Sequence, residues 1–216
     1  MDIDTLIQTI TVLAIPVLLA ITLHEAAHGY AARHFGDTTA YRAGRITLNP
    51  LRHIDPIGTI LVPLLMLAFS NGALLFGWAK PVPVNFSRLR NPKADMLWVA
   101  AAGPLANLLM VFGWVLIKWL ILDSHTGYTH FIRSMAEFGI LINLVLMFLN
   151  LLPIPPLDGG RIVVSLLPDH LSTAFARIEP FGLIIIVILL VTQVLGTILM
   201  PLIYSARTLI SWAVGV

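Results

Sequence analysis

The sequence predicts an all-α membrane protein, a polytopic bundle of about four to six membrane helices with a short re-entrant β-strand or hairpin element. Three observations predict it. Apolar residues make up 58% of the 216 residues and charged residues 11%, where a soluble domain carries about 25% charged residues. Mean hydropathy is +0.90. Several stretches reach the roughly 20 apolar residues that cross a hydrocarbon core of about 30 Å. A water-soluble fold of this length cannot hide that much apolar surface, so soluble enzymes, nucleic-acid binders and disordered regulators are excluded. The net charge of +2 arises from few groups, and basic residues here set orientation in the bilayer. No cysteine is present, which removes disulfides, thiolate metal sites and thiol nucleophiles.

The first span is expected from about Leu6 to Ala32, with Pro16 as a kink. Met1-Asp2-Ile3-Asp4 carries no basic residue, so the stretch reads as a retained span instead of a secretory signal. Further spans are expected at about Ala94–Leu122, Phe131–Leu152 and Phe181–Tyr204, the last one breaking at Pro201. A closing helix, Leu202–Val214, continues it or lies on the surface. Ile57–Phe76 is apolar but basic on both flanks, with Arg33, Arg42, Arg45 and Arg52 before it and Lys80, Arg88, Arg90 and Lys93 after it. The positive-inside rule puts both flanks in the cytoplasm. A re-entrant hairpin or a helix packed within protein is therefore expected there. Gly77–Val84 is extended by composition, because Pro81 and Pro83 push their predecessors out of helical geometry. Gly159–Leu167 is too short to cross and reads as a short helix. The whole chain, 1–216, reads as one membrane-embedded domain, with a core at about 6–167 and C-terminal helices at about 181–214. The N-terminus is then outside, and the inner ends of the first and third spans lie on one side.

His24-Glu25-Ala26-Ala27-His28 carries the chemistry. Residues i and i+4 share a helix face. Two imidazoles there can grip one Zn²⁺, and the intervening Glu can act as general base on a metal-bound water. Ionisable groups in an apolar helix are expensive and default to function. The bland alternative is an interfacial polar cluster. A catalytic zinc needs a third protein ligand, and without Cys the choice falls to His, Asp or Glu. Asp158 is the best candidate. Pro153, Pro155 and Pro156 end the third span, and Asp158 opens the short helix on the side where His24 lies. Its alternative role is a simple N-cap.

Asn107, Asn143 and Asn150 are amides in apolar helices. They serve either interhelical hydrogen bonding or, for Asn150 and Asn107, oxyanion or substrate-backbone contacts. Gly103 is expected to permit close helix approach. His53 and Asp55 read as a solvated loop capping the following helix, or as a second metal site or gate. Asp37, Asp55 and Asp95 are placed in loops, as are His34, His125, His130 and His170.

Three motifs together resemble the site-2 protease family of intramembrane zinc metalloproteases. They are the H-E-x-x-H at His24, Gly103-Pro104-Leu105-Ala106-Asn107, and the run from Asn150 through Pro153 and Pro156 to Leu157-Asp158-Gly159. The chain is similar to the small bacterial members, without the PDZ domain that larger relatives carry between the central spans. The resemblance implies one Zn²⁺ per chain on His24, His28 and Asp158, with Glu25 as catalytic acid/base. It implies substrates that are membrane-spanning protein segments. It implies a bacterial inner membrane with the site toward the cytoplasm. It also puts the family's re-entrant β-loop at Gly77–Val84, where strand addition at Gly77, Pro81, Val82 and Val84 would hold an unwound substrate. The partners expected are thus the substrate and the lipid bilayer, with no nucleic acid.

Two other classes compete. A divalent-cation transporter would line a path with several ligating positions and often carry inverted repeats; this chain has one compact cluster and no repeat. An inactive scaffold is disfavoured by the intact His24, Glu25, His28 and Asp158. A serine or aspartyl intramembrane protease is not supported, since neither a Ser–His pairing nor a second intramembrane Asp is found.

Overall fold

A computed structural model describes residues 3–69, 77–122 and 127–214. The elements are α1 (Ile3–His34), α2 (Thr39–Arg42), a π-helical turn Pro56–Leu61 running into α3 (Val62–Phe69), α4 (Pro92–Leu120), α5 (Gly127–Asn150), α6 (Asp158–Leu166), α7 (Asp169–Ala176), α8 (Gly182–Val191) and α9 (Val194–Val214). Five stretches are long and apolar enough to cross a membrane: Thr11–His34, Pro92–Leu120, Tyr128–Asn150, Asp169–Val191 and Val194–Val214. The chain is a multi-pass helical membrane protein.

The first three spans match their expected places, and α1 runs unbroken through a buried Pro16. The C-terminal region does not match. The expected break at Pro201 lies instead at Thr192-Gln193, and α9 passes through Pro201. The Thr192 hydroxyl donates to the Ile188 carbonyl at 2.7 Å, and Gln193 turns to φ 62°. These two features end α8. Pro201 costs α9 only one backbone bond, which membrane helices tolerate.

The expected β element is not found. Among the described residues there is no strand, and Gly77–Asn85 is extended but pairs with no neighbouring strand. Its two prolines, Pro81 and Pro83, lack the N–H groups that a ladder needs. The segment before it is helical over Pro56–Phe69. It is not packed within protein: Ile57, Leu64 and Phe69 are 58%, 59% and 86% exposed. Residues 70–76, which would complete a hairpin, lie outside the described residues.

The core is built by α4, α5 and α9. Val111, Trp114 and Val115 meet Ala136, Ile140, Leu144 and Met147, with Leu195, Leu199 and Ile203 closing over them. A smaller cluster of Ala32, Leu89 and Val99, with Val84 and Phe86 against it, ties the end of α1 to the extended segment. Lipid is as apolar as these side chains, so close packing and interhelical hydrogen bonds hold such helices together. Helix α1 lies against both α4 and α5, and α6 lies against α4. That arrangement brings His24 and Asp158 together.

Candidate metal centre

His24 and His28 stand one turn apart on α1, rings edge-to-face at 83° with centroids 4.7 Å apart. Their Nε2 atoms are 3.1 Å apart. Asp158 is the first residue of α6, and its Oδ2 lies 3.3 Å from each Nε2. Leu157 occupies the cap position, so Asp158 does not act as an N-cap. The chain can double back here because Gly159 and Gly160 have no Cβ; one on Gly159 would overlap the carbonyls of Leu151 and Leu152.

The far side of each imidazole decides what the near side can do. His28 Nδ1 donates to the Val99 carbonyl at 2.7 Å. His24 Nδ1 lies 2.6 Å from Asn107 Oδ1. The amide orientation follows from a chain of bonds. Asn143 Nδ2 donates to the Gly139 carbonyl at 2.8 Å, so its Oδ1 is free to accept from Asn107 Nδ2 at 2.9 Å. That leaves Asn107 Oδ1 as the acceptor for His24 Nδ1–H. In the neutral tautomer that these bonds select, each ring turns its Nε2 lone pair toward a carboxylate oxygen.

Asp158 Oδ2 is buried and receives no hydrogen bond, although both rings lie 3.3 Å away. Two lone pairs and a carboxylate facing one another in an apolar setting repel unless a cation sits among them. The three ligand atoms lie within 4.8 Å of one another, and two His nitrogens with one carboxylate form a catalytic zinc donor set. The residues present fit the ion. Gly103 of α4 faces the same point. A Cβ there would overlap His28 Nε2 and the His24 ring, so its close-approach role concerns the ligands themselves.

Glu25 is not part of the group of ligand atoms. Its Oε2 accepts the Val82 N–H at 2.7 Å. The extended segment lies over it, fastened at several points. Trp78 N–H donates to the Gly58 carbonyl and Lys80 N–H to the His53 carbonyl. Arg45 reaches the Lys80 carbonyl at 2.9 Å and the Pro81 carbonyl at 3.4 Å. Asn85 N–H donates to Asp37 Oδ2 at 2.7 Å. Gly77 sits where a Cβ would overlap the Gly58 carbonyl.

The remaining candidates fall elsewhere. Asn150 donates to Leu146 of its own helix at 3.0 Å and does not join the cluster. Asn107 and Asn143 are fully buried, and the amide of Asn107 is wholly engaged, with no capacity left for a substrate. His53 is not solvated: it is 1% exposed, and Nε2 meets the Thr47 carbonyl at 2.9 Å. Asp55 does cap the following turn, accepting from Ile57 and Gly58 N–H. Asp95 is not in a loop but in the first turn of α4, where it reaches back to Asn91 N–H at 2.7 Å. His34, His130 and His170 are exposed and helical, because α1, α5 and α7 reach further than expected; His125 lies outside the described residues. Asn143 was legible only as a generic interhelical amide, and the Val99 carbonyl gave no signal in the sequence.

The chain is similar over most of its length to described proteins. The model of "Peptidase family M50" matches residues 119–192. The chain is 38% identical over 199 residues to "Putative zinc metalloprotease YwhC" of Bacillus subtilis (strain 168), covering 90% of this chain and 87% of that one. The chain belongs to peptidase family M50, the site-2 proteases. A protein of the same description, Rip2 of Mycolicibacterium smegmatis, is 31% identical over 188 residues, covering 87% of this chain and 69% of its own length. Stage IV sporulation protein FB of Bacillus subtilis is 27% identical over 156 residues, 72% of this chain and 40% of that one. No solved structure gives a significant match. The M50 chain is a zinc metalloprotease, and no PDZ domain is found among the described residues.

Proposed function

We propose that this metalloprotease cuts peptide bonds in membrane-spanning segments of other proteins. His24, His28 and Asp158 hold the zinc in this reading, and Glu25 is the catalytic acid/base. The observation that carries it is the position of the donor set. Two ligands and the base ride on a helix long and apolar enough to cross a membrane, and the third opens the helix that follows another. A soluble substrate would have no reason to meet its protease there. Arg33 lies in the last turn of α1 beyond the ligands, Lys93 in the first turn of α4, and Arg45 bonds to Lys80 in the segment at Glu25, which supports a site toward the cytoplasmic face of a cell membrane. The whole chain acts as one catalytic domain.

When bound, zinc acidifies its water toward neutral pH and polarises the scissile carbonyl. Glu25 takes the proton at its free oxygen, Oε1, and returns it to the departing nitrogen. Asn107 and the Val99 carbonyl keep both imidazoles in the tautomer that presents Nε2. An unwound substrate lies along the extended segment at Gly77–Val84, beside Glu25. Among the described residues, the Val82 and Val84 carbonyls there and the Val84 N–H have no hydrogen-bond partner.

The test uses full-length protein in vesicles with single-span reporter proteins, and casein as a soluble control. Wild type should cut within the reporter's span, as placed by mass spectrometry of the fragments. Glu25→Gln should keep about one zinc per chain and lose roughly a hundredfold to ten-thousandfold in turnover. Cleavage confined to casein would remove the intramembrane substrate, and retained turnover would remove Glu25 as the base.

A further inference from the structure

Between Lys80 and Val84 the backbone offers few donors. Pro81 and Pro83 have no N–H, so the run Pro81-Val82-Pro83 carries a single amide hydrogen. That hydrogen is on Val82, and it goes to Glu25 Oε2 at 2.7 Å. Val82 is 7% exposed, so water does not compete freely for the bond. The neighbouring carbonyls of Lys80 and Pro81 are held by Arg45, and the Lys80 amide by His53. The segment is therefore fixed on the side preceding Val82 by groups outside the metal cluster. It is fixed beyond Val82 by Asp37 at Asn85.

We infer that Val82 is a positioning residue whose backbone N–H sets the orientation of the Glu25 carboxylate. With Oε2 committed to this donor, the carboxylate cannot rotate freely about its last bond, and Oε1 is the oxygen presented for proton transfer. The arrangement suits both halves of the reaction. A carboxylate accepts the N–H at Oε2, and so does the carbonyl oxygen of a carboxylic acid protonated at Oε1. The donor thus needs no rearrangement as the proton arrives and leaves, which is what preorganisation requires. The flanking prolines serve the same end: they remove rival donors and hold Val82 extended. A consequence follows for substrate binding. The Val82 N–H is already spent, so a substrate pairing with this segment must use its other backbone groups.

This inference rests on the assignment of Glu25 as the base, and the test separates the two. Two variants of the full-length protein in vesicles carry it: Val82→Pro, and an ester at position 82 that replaces only the N–H by oxygen. The ester and Val82→Pro should lower kcat about tenfold to a hundredfold, the range for losing a hydrogen bond to a charged group. KM and zinc content should be unchanged. A readout independent of activity is amide exchange. The prolines leave Val82 as the lone exchanging amide across residues 81–83, and its protection should fall about tenfold or more in Glu25→Ala. Should Val82→Pro fail to fold, the ester and the exchange measurement still decide. Unchanged kcat in the ester, a rise in KM alone, or equal Val82 exchange in wild type and Glu25→Ala would overturn the inference. If Glu25→Gln retains turnover while Val82 exchange still depends on Glu25, the base assignment falls and the contact stands without a catalytic role.

Discussion

The metal cradle and the extended segment over it lie side by side and are built differently. In the cradle each histidine is fixed from behind by a buried acceptor, and those acceptors sit on α4, which packs against both α1 and α5. Asn107 and Asn143 are each 0% exposed, so shifting one ligand means breaking a chain of buried bonds. The segment 77–85 has no such backing. It hangs from separate bonds to Gly58, Thr59, His53, Arg45, Glu25 and Asp37, with part of its backbone unpaired. A buried hydrogen-bond chain must be disrupted as a unit, whereas single bonds can be exchanged one at a time. The cradle therefore shifts only as a unit, whereas the bonds of the segment can be tested one at a time.

The comparison breaks most completely at Gly103. Gly103→Ala puts a methyl group into the space of His28 Nε2 and the His24 ring, and α4 cannot retreat without unpacking Trp114 and Val115 from the core. Zinc affinity should fall by more than about a hundredfold, with helix content by circular dichroism unchanged. Elemental analysis finding a full zinc complement at low free zinc would mean the helices separate more easily than their packing implies.

Removing the backing instead of the ligands is the next step down. Asn107→Ala leaves the Nδ1–H of His24 without its acceptor and the ring free to turn. The expected cost is about 10- to 100-fold in zinc affinity, well beyond the roughly 0.6 to 2 kcal/mol that an interhelical hydrogen bond contributes to stability in a membrane. Asn150→Ala is the control. Its amide serves only Leu146 of its own helix, and zinc affinity in a chelator competition should stay within about twofold. Equal effects of the two substitutions would show that helix stability, not ligand orientation, is being measured.

These two asparagines also mark the limit of what the sequence discloses. The His24–His28 pair was legible because i and i+4 face the same way on any helix. Asp158 was legible because prolines end α5 and leave the chain one direction to take. The partner of Asn107 was not legible, since it depends on how α1, α4 and α5 are rotated about their own axes. Asn150 looked equivalent as an amide in an apolar helix that also falls in the motif leading to Asp158. His53 was expected in solvent because its neighbours Arg52 and Asp55 are charged, but the fold closes residues 47–53 over its ring. Pro201 was a strong local signal for a break that Thr192 and Gln193 make instead, since a membrane helix absorbs one missing N–H. The extended geometry of 77–84 followed correctly from its prolines; the same prolines argue against the ladder that was expected of it.

The smallest effect lies at the far end of the segment, at Asp37. This buried carboxylate follows the end of α1 and accepts from Thr39 N–H at 2.9 Å, from the Thr39 hydroxyl, and from Asn85 N–H at 2.7 Å. Burial works against its charge, but these hydrogen bonds and nearby Arg88 outweigh it and hold the carboxyl below the usual carboxylate range. A depressed pKa in the folded state contributes stability that is fully present above the unfolded value, about 3.9. It is lost as pH falls through the lower folded value. The Asn85 amide should therefore exchange with pH-independent protection between about pH 5 and 8, once intrinsic rates are divided out, and lose protection only below about pH 4. Asp37→Asn should lower that protection about tenfold at neutral pH, because the charge that strengthens the bond is gone. Zinc content should not change, and the Val82 amide should stay protected, since Glu25 and Arg45 hold that stretch independently. Asn85 protection unaffected by the substitution would mean that the packing of Val84 and Phe86 against Ala32 and Val99, and not the carboxylate, fastens this end.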